Sequence, residues 1–217
     1  FFMKHKKVLS IFLTILLVIS TISINISYAE TTPSIEMALD KTSASVGDII
    51  TATIKINNIS NFAGYHLNIK YDPAVLQPVD PITGEAFTDR TMPVNSNLLT
   101  NENYGPANVV ANNIKSGILN FGSMYSYLKD YKASGIDEDT GIIGEIGFKV
   151  LKEQNTSIKF EDTKTMPDGI SGTNLFDWDS EMIAGYTVIQ PNPIVVVPGP
   201  LPEDAYVAME LDKTEVE

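Results

Sequence analysis

Asp48-Ile49-Ile50-Thr51-Ala52-Thr53-Ile54-Lys55-Ile56-Asn57 decides the fold. Ile50, Ala52, Ile54 and Ile56 fall on one side of the chain, and Thr51, Thr53, Lys55 and Asn57 on the other. A period of two marks a strand with one buried face. The pattern recurs downstream. Tyr65, Leu67, Ile69 and Tyr71 alternate with His66, Asn68 and Lys70, and residues 118–128 form a third run. In a fourth, Ile142, Gly144, Ile146, Phe148 and Val150 alternate with Ile143, Glu145, Gly147 and Lys149. Shorter runs lie at 157–161, 174–178 and 183–190.

Turn chemistry separates these runs. Ser45-Val46-Gly47-Asp48, Asn57-Asn58, Tyr71-Asp72-Pro73, Lys115-Ser116-Gly117 and Pro167-Asp168-Gly169 combine residues that favour tight reversals. Many short strands with almost no helical periodicity predict an all-β sandwich of the jelly-roll kind. One short helix is expected over 127–134, ahead of Gly135. Two longer polar insertions, near 80–112 and 162–172, interrupt the pattern.

The two ends read differently. Lys4, Lys6 and Lys7 precede an apolar run over 8–26, and Ser27-Tyr28-Ala29 supplies a small-x-small end. That predicts an export signal over residues 1–29, with an uncleaved anchor helix as the alternative. Its removal takes away three lysines and no acid, moving the formal charge from −12 to −15. So acidic a surface disfavours nucleic acid and anionic membrane as partners. The chain has no cysteine. Thiolate metal sites, thiol nucleophiles and disulfides are excluded, and an exported domain must rely on its core.

At the other end, Val207-Ala208-Met209-Glu210-Leu211-Asp212-Lys213-Thr214 echoes Ile35-Glu36-Met37-Ala38-Leu39-Asp40-Lys41-Thr42. A Pro-rich stretch precedes the second copy. The expected organisation is a signal over 1–29, one domain over 30–191, a linker over 192–206 and the start of a second copy over 207–217. As polyproline, the linker would hold modules roughly 40 Å apart. The alternative is that 194–197 packs locally as an extra edge strand.

Catalytic chemistry finds few candidates. Only His5 and His66 exist, and His66 sits mid-strand on a polar face, a poor place for a triad base. Asp177 and Asp179 have the spacing of a carboxylate pair. Asp177, Asp179 and Glu181 also share the opening spacing of a calcium loop, but Met182 and Val188 stand where that motif needs Gly and Glu. Asp137-Glu138-Asp139 reads as a solvated acidic loop. Alternation places Phe176 and Trp178 on one face, against Leu175, Asp177 and Asp179, so the only tryptophan is expected to point inward.

Six blocks in register resemble a known family. They are Ser45-Val46-Gly47-Asp48; Asn61-Phe62-Ala63-Gly64-Tyr65 with Tyr71-Asp72-Pro73-Ala74-Val75-Leu76; Gly117-Ile118-Leu119-Asn120-Phe121; the run from Gly141 to Val150; Leu175-Phe176-Asp177-Trp178-Asp179; and Gly185-Tyr186-Thr187-Val188-Ile189-Gln190-Pro191. Over residues 34–191 the chain resembles type II cohesins of cell-surface anchoring scaffoldins in cellulosome-producing bacteria. The resemblance implies a nine-stranded jelly-roll β-sandwich with two flap insertions and a short crown helix. It implies a non-catalytic module with no cofactor or metal of its own. The implied partner is a type II dockerin carrying calcium, often beside an X module. The implied setting is a secreted protein tethering cellulosome complexes to the bacterial cell surface. A carbohydrate-binding module, a surface-layer or adhesin repeat and a glycosidase are the competing classes.

The family's docking face uses its third, fifth, sixth and eighth strands. Carried over by parity, this implies His66, Asn68 and Lys70 on strand three and Gly122, Met124 and Tyr125 or Tyr127 on strand five. Strand six then offers Ile143, Glu145 and Gly147, and strand eight offers Asp177.

Overall fold

The computed structural model describes residues 32–161 and 172–199. The expected export signal, the body of the second insertion, the end of the expected linker and the expected repeat over 207–217 lie outside the described residues.

Alternation in sequence becomes alternation in burial. Strand β3 (Ile49–Asn57) buries every second side chain from Ile50 to Ile56. It pairs antiparallel with β1 (Ser34–Leu39) on one side and β8 (Gly141–Val150) on the other. Strand β5 (Leu76–Val79) extends the sheet beyond β8, and β11 (Thr187–Ile189) runs parallel to β1 at the far edge. The resulting order is β11-β1-β3-β8-β5.

The second sheet has the order β10-β4-β7-β6, with β4 at Phe62–Lys70, β6 at Pro106–Val110, β7 at Ile118–Tyr125 and β10 at Thr173–Asp177. The short β9 (Lys159–Phe160) pairs with the far end of β4. Tyr65, Leu67 and Ile69 of β4 and Leu119 and Phe121 of β7 face Ile50, Ala52, Ile54, Ile56, Ile146 and Phe148 across the sandwich, all buried. Each such aliphatic or aromatic side chain contributes about 1.5–3 kcal/mol by leaving water.

Two expectations are settled by packing. Helix α1 (Leu128–Ser134) forms where expected and ends at Gly135, whose φ of 69° closes the last turn. The Pro-rich segment does not leave the domain at residue 192. Ile194 is fully buried. Strand β12 (Val195–Val196) runs parallel to β2 (Ser43–Ala44), with Val195 and Val197 N–H donating to Thr42 and Ala44 carbonyls. Of the two readings of this stretch, local packing holds through Val197, because its valines alternate while its prolines flank them.

Candidate functional site

The sandwich has two outer faces. Leaving aside the two-residue β9, the two main sheets have nine strands, of which the third, fifth, sixth and eighth in chain order are β4, β6, β7 and β10. Together these form the four-stranded body of the second sheet, to which β9 adds a short pairing on β4. Its pairing register identifies the outward residues. Gly64, His66, Asn68 and Lys70 lie opposite Met124, Gly122, Asn120 and Ile118. Ala107 and Val109 continue the rows from β6, and Asn174 and Phe176 from β10.

Two glycines shape the middle of this face. A Cβ on Gly64 would come within 2.7 Å of Met124 Cγ, so Met124 lies flat across its cross-strand partner. A Cβ on Gly122 would come within 2.5 Å of the Tyr65 carbonyl oxygen. Around them stand Met124 and Ile118, half-buried, and Ala107, exposed. Val109 is 61% exposed, Tyr127 at the crown 57% and Met182 beside β10 46%. Apolar groups concentrated on one sheet surface mark an interaction site.

A row of imidazole and amide groups crosses the same face. His66 Nε2 lies 2.9 Å from Asn120 Oδ1. Asn120 Nδ2 donates to Asn68 Oδ1, so Asn120 Oδ1 is the acceptor and His66 Nε2 the donor. Asn120 N–H donates to Asn112 Oδ1 at 2.9 Å. Asn112 in turn donates to the carbonyls of Thr88 and Thr91, anchoring the first insertion to the sheet. Among the described residues, His66 Nδ1 and Asn174 Nδ2 are buried without partners. They belong to residues directly opposite in the β4–β10 register. Lys70, at the end of the row, brings the face its one cation among these outward positions; its Nζ donates to the Ser116 carbonyl.

Several expected site residues are elsewhere. Ile143, Glu145 and Gly147 belong to β8, which lies in the opposite sheet. Ile143 is also buried, at 1% exposure. Lys55 pairs with Ile142 and Ile54 with Gly144, so Ile143 is the extra residue of a bulge. A bulge breaks the alternation that had placed it outward. Glu145 accepts from Asn95 Nδ2 at 2.7 Å, and Gly147 lies under Val79 and Ile49.

Tyr125 points inward with 1% exposure, because β7 runs without a bulge from Ile118 to Tyr125. Asn68 is on the outer face but fully covered. Asp177 Oδ1 is occupied by the N–H groups of Asp179 and Glu181, at 2.8 and 2.9 Å, and so builds a turn.

Parity also failed around Trp178. Leu175 is the inward residue, opposite Tyr65 and fully buried, while Phe176 lies outward opposite Gly64. The register slips after Phe176, and alternation does not carry through the slip. Trp178 is half-buried, its ring 6.4 Å from that of Tyr131. Lys132 sits 5.6 Å from the Trp178 ring and pairs with Asp179 at 2.6 Å. Among the described residues no three of His, Cys, Asp and Glu gather as a metal-holding cluster.

Sequence reasoning missed Gly64, Ile118, Asn120, Asn174 and Phe176 on this face, and all of β6. Pro106-Ala107-Asn108-Val109-Val110 has no alternation, and its three central side chains are all exposed. The signal available was two adjacent valines in an otherwise polar insertion.

Comparison with known proteins converges on one family. Residues 35–174 match the cohesin domain. Cell surface glycoprotein 1 of Acetivibrio thermocellus is 69% identical over 215 residues, which are 99% of this chain and 9% of that protein. A type II cohesin dyad from the adaptor scaffoldin of Acetivibrio cellulolyticus is 49% identical, with a TM-score of 0.74, over 76% of this chain and 49% of that one. A chain of a type II cohesin–X-dockerin complex from Acetivibrio cellulolyticus is 48% identical, with a TM-score of 0.73, over 76% of this chain and 99% of that one. The chain thus spans a small part of its curated relative and about half of the dyad. The chain belongs to the cohesin family, and the solved structures it resembles at this identity are type II cohesins.

Proposed function

We propose that this chain is a non-catalytic docking module whose four-stranded sheet binds a type II dockerin together with its X module. The observation that carries the proposal is the likeness, at 48% identity and across 99% of the matched chain, to the cohesin-like chain of a type II cohesin–X-dockerin complex. The geometry supports it. A flat face with Met124 laid over Gly64, small groups around it and a neutral amide row suits the side of a helix. A standard interface of about 800 Å² per partner fits such a sheet.

The likeness to a cell surface glycoprotein supports a place in tethering enzyme complexes to the bacterial surface, after secretion. The proposed module needs no cofactor; calcium belongs to the dockerin. Calorimetric titration with a type II X-dockerin tests this. Tight binding that EDTA abolishes is the expected result. No binding, or binding indifferent to EDTA, overturns it.

A further inference from the structure

The outer face depends on where its edge strand is placed, and one carboxylate stands at the start of that strand. Glu138 Oε1 accepts the Tyr125 hydroxyl at 2.7 Å. Its Oε2 accepts the Leu99 N–H at 2.6 Å. Its own N–H donates to the Tyr131 hydroxyl at 3.1 Å, and that hydroxyl donates to the Phe62 carbonyl at 3.0 Å. The Asn101 N–H donates to the Tyr125 hydroxyl at 3.2 Å. One side chain therefore joins the first insertion to β7, and its residue is tied to α1 and the start of β4.

The surroundings show that this junction is built. Leu99 is buried yet has a φ of 54°, a conformation that a branched side chain holds only when its surroundings impose it. Tyr104, Tyr125 and Tyr131 pack with ring centroids 4.8–5.3 Å apart. Burial pushes the Tyr125 phenol well above its ordinary value, with the Glu138 hydrogen bond adding to the shift. Burial also raises the Tyr131 phenol to about 12, so both hydroxyls stay protonated as donors.

The chain then passes directly from the junction into the face. Ser126 N–H donates to the Gly105 carbonyl and Tyr127 N–H to the Tyr104 carbonyl, both at 3.0 Å. A Cβ on Gly105 would come within 3.0 Å of the Tyr127 ring. Pro106 follows as the first residue of β6.

We propose that Glu138 is a positioning residue for partner binding: its carboxylate latches the 99–105 segment to Tyr125, and this sets β6, Val109 and Tyr127 in the plane of the docking face. The proposal rests on the reading of that face as the docking surface. It gives a function to an acidic stretch that reads in sequence as a solvated loop. Glu138 acts through Tyr125 and Leu99 and need not touch the partner.

The test compares Glu138→Ala, Glu138→Gln and Ile54→Val, the last a mild core variant of the opposite sheet. Each is titrated with a type II X-dockerin well below its melting temperature, and amide hydrogen exchange is followed along β6 and β7. Glu138→Ala is expected to weaken binding about tenfold, the scale of a hydrogen bond to a charged group. The Ala107 and Val109 amides, which face β7 in the pairing register, should exchange faster by a similar factor. Glu138→Gln keeps an acceptor for Tyr125 and should fall between wild type and Glu138→Ala; Ile54→Val should leave affinity and β6 exchange unchanged. The proposal is overturned if Glu138→Ala binds as wild type, or if β6 keeps its protection. Should wild type itself not bind, the dockerin reading falls, and β6 exchange alone decides for or against the latch.

Discussion

Strands β3 and β4 are consecutive and equally long, yet they end in opposite sheets with opposite outer faces. Both have nine residues. Their inward rows are alike: Ile50, Ala52, Ile54 and Ile56 on one, Tyr65, Leu67 and Ile69 on the other. Their outward rows differ. Around β3 the outer face is charged: Lys55 pairs with Glu36 at 3.1 Å, and Glu145 and Lys149 lie alongside Thr53 and Ile49. Around β4 the outer face holds glycine, imidazole and amide, flanked by Met124, Ile118 and Val109. The inner rows make the fold, and the outer rows determine which sheet meets water and which has apolar surface left for a partner.

The comparison breaks most sharply at Ile143. Parity assigned it to the surface, whereas the bulge in β8 buries it. Ile143→Asp places an unpaired charge in the core and should cost more than about 4 kcal/mol, enough to abolish cooperative unfolding by urea. A folded Ile143→Asp variant with wild-type stability would return Ile143 to the surface.

The next effect separates the two outer faces. Met124→Asp should leave the fold intact and weaken X-dockerin binding by at least about 30-fold, since an apolar anchor at the centre of an interface is typically worth about 2 kcal/mol or more. Lys149→Asp, on the exposed outer row of the other sheet, should change affinity by less than about twofold. Surface plasmon resonance on the two variants reads the difference directly.

A smaller effect distinguishes the glycines. At Gly122 the nearest neighbour of an added Cβ is the Tyr65 backbone oxygen at 2.5 Å; at Gly147 it is the Val79 Cγ2 methyl at 2.9 Å. Backbone cannot yield as a methyl group can. Gly122→Ala should therefore lose about 1–3 kcal/mol in denaturant melts, and Gly147→Ala less. Equal losses would mean that β4 and β7 are not as tightly apposed as their register requires.

Much of the fold was legible because alternation reports burial directly. The runs containing β3, β4, β7 and β8 and the helix before Gly135 all follow from side-chain pattern and turn residues. Three things were not legible. The place of β8 in the strand order was miscounted by one because β6 was missed: β7 stood as the fifth strand and β8 as the sixth, and so Glu145 and Gly147 were assigned to the wrong surface. Bulges at Ile143 and after Phe176 shift parity without any mark in residue type. Strand β6 has no buried row of its own and therefore no alternation. His66, Asn68, Lys70, Gly122 and Met124 on β4 and β7 were placed correctly from parity alone, because both strands run without a break from residue 64 to 70 and from 118 to 124.

Everything proposed for binding depends on the four-stranded sheet being the docking face. Chemical-shift mapping of the isotope-labelled chain, titrated with unlabelled type II X-dockerin, tests that most directly. Perturbed amides are predicted to cluster on β4, β6, β7 and β10, centred on His66, Gly122 and Met124, with β1, β3 and β8 unchanged. Perturbations centred on Lys55, Glu145 and Lys149 of the opposite sheet would contradict it.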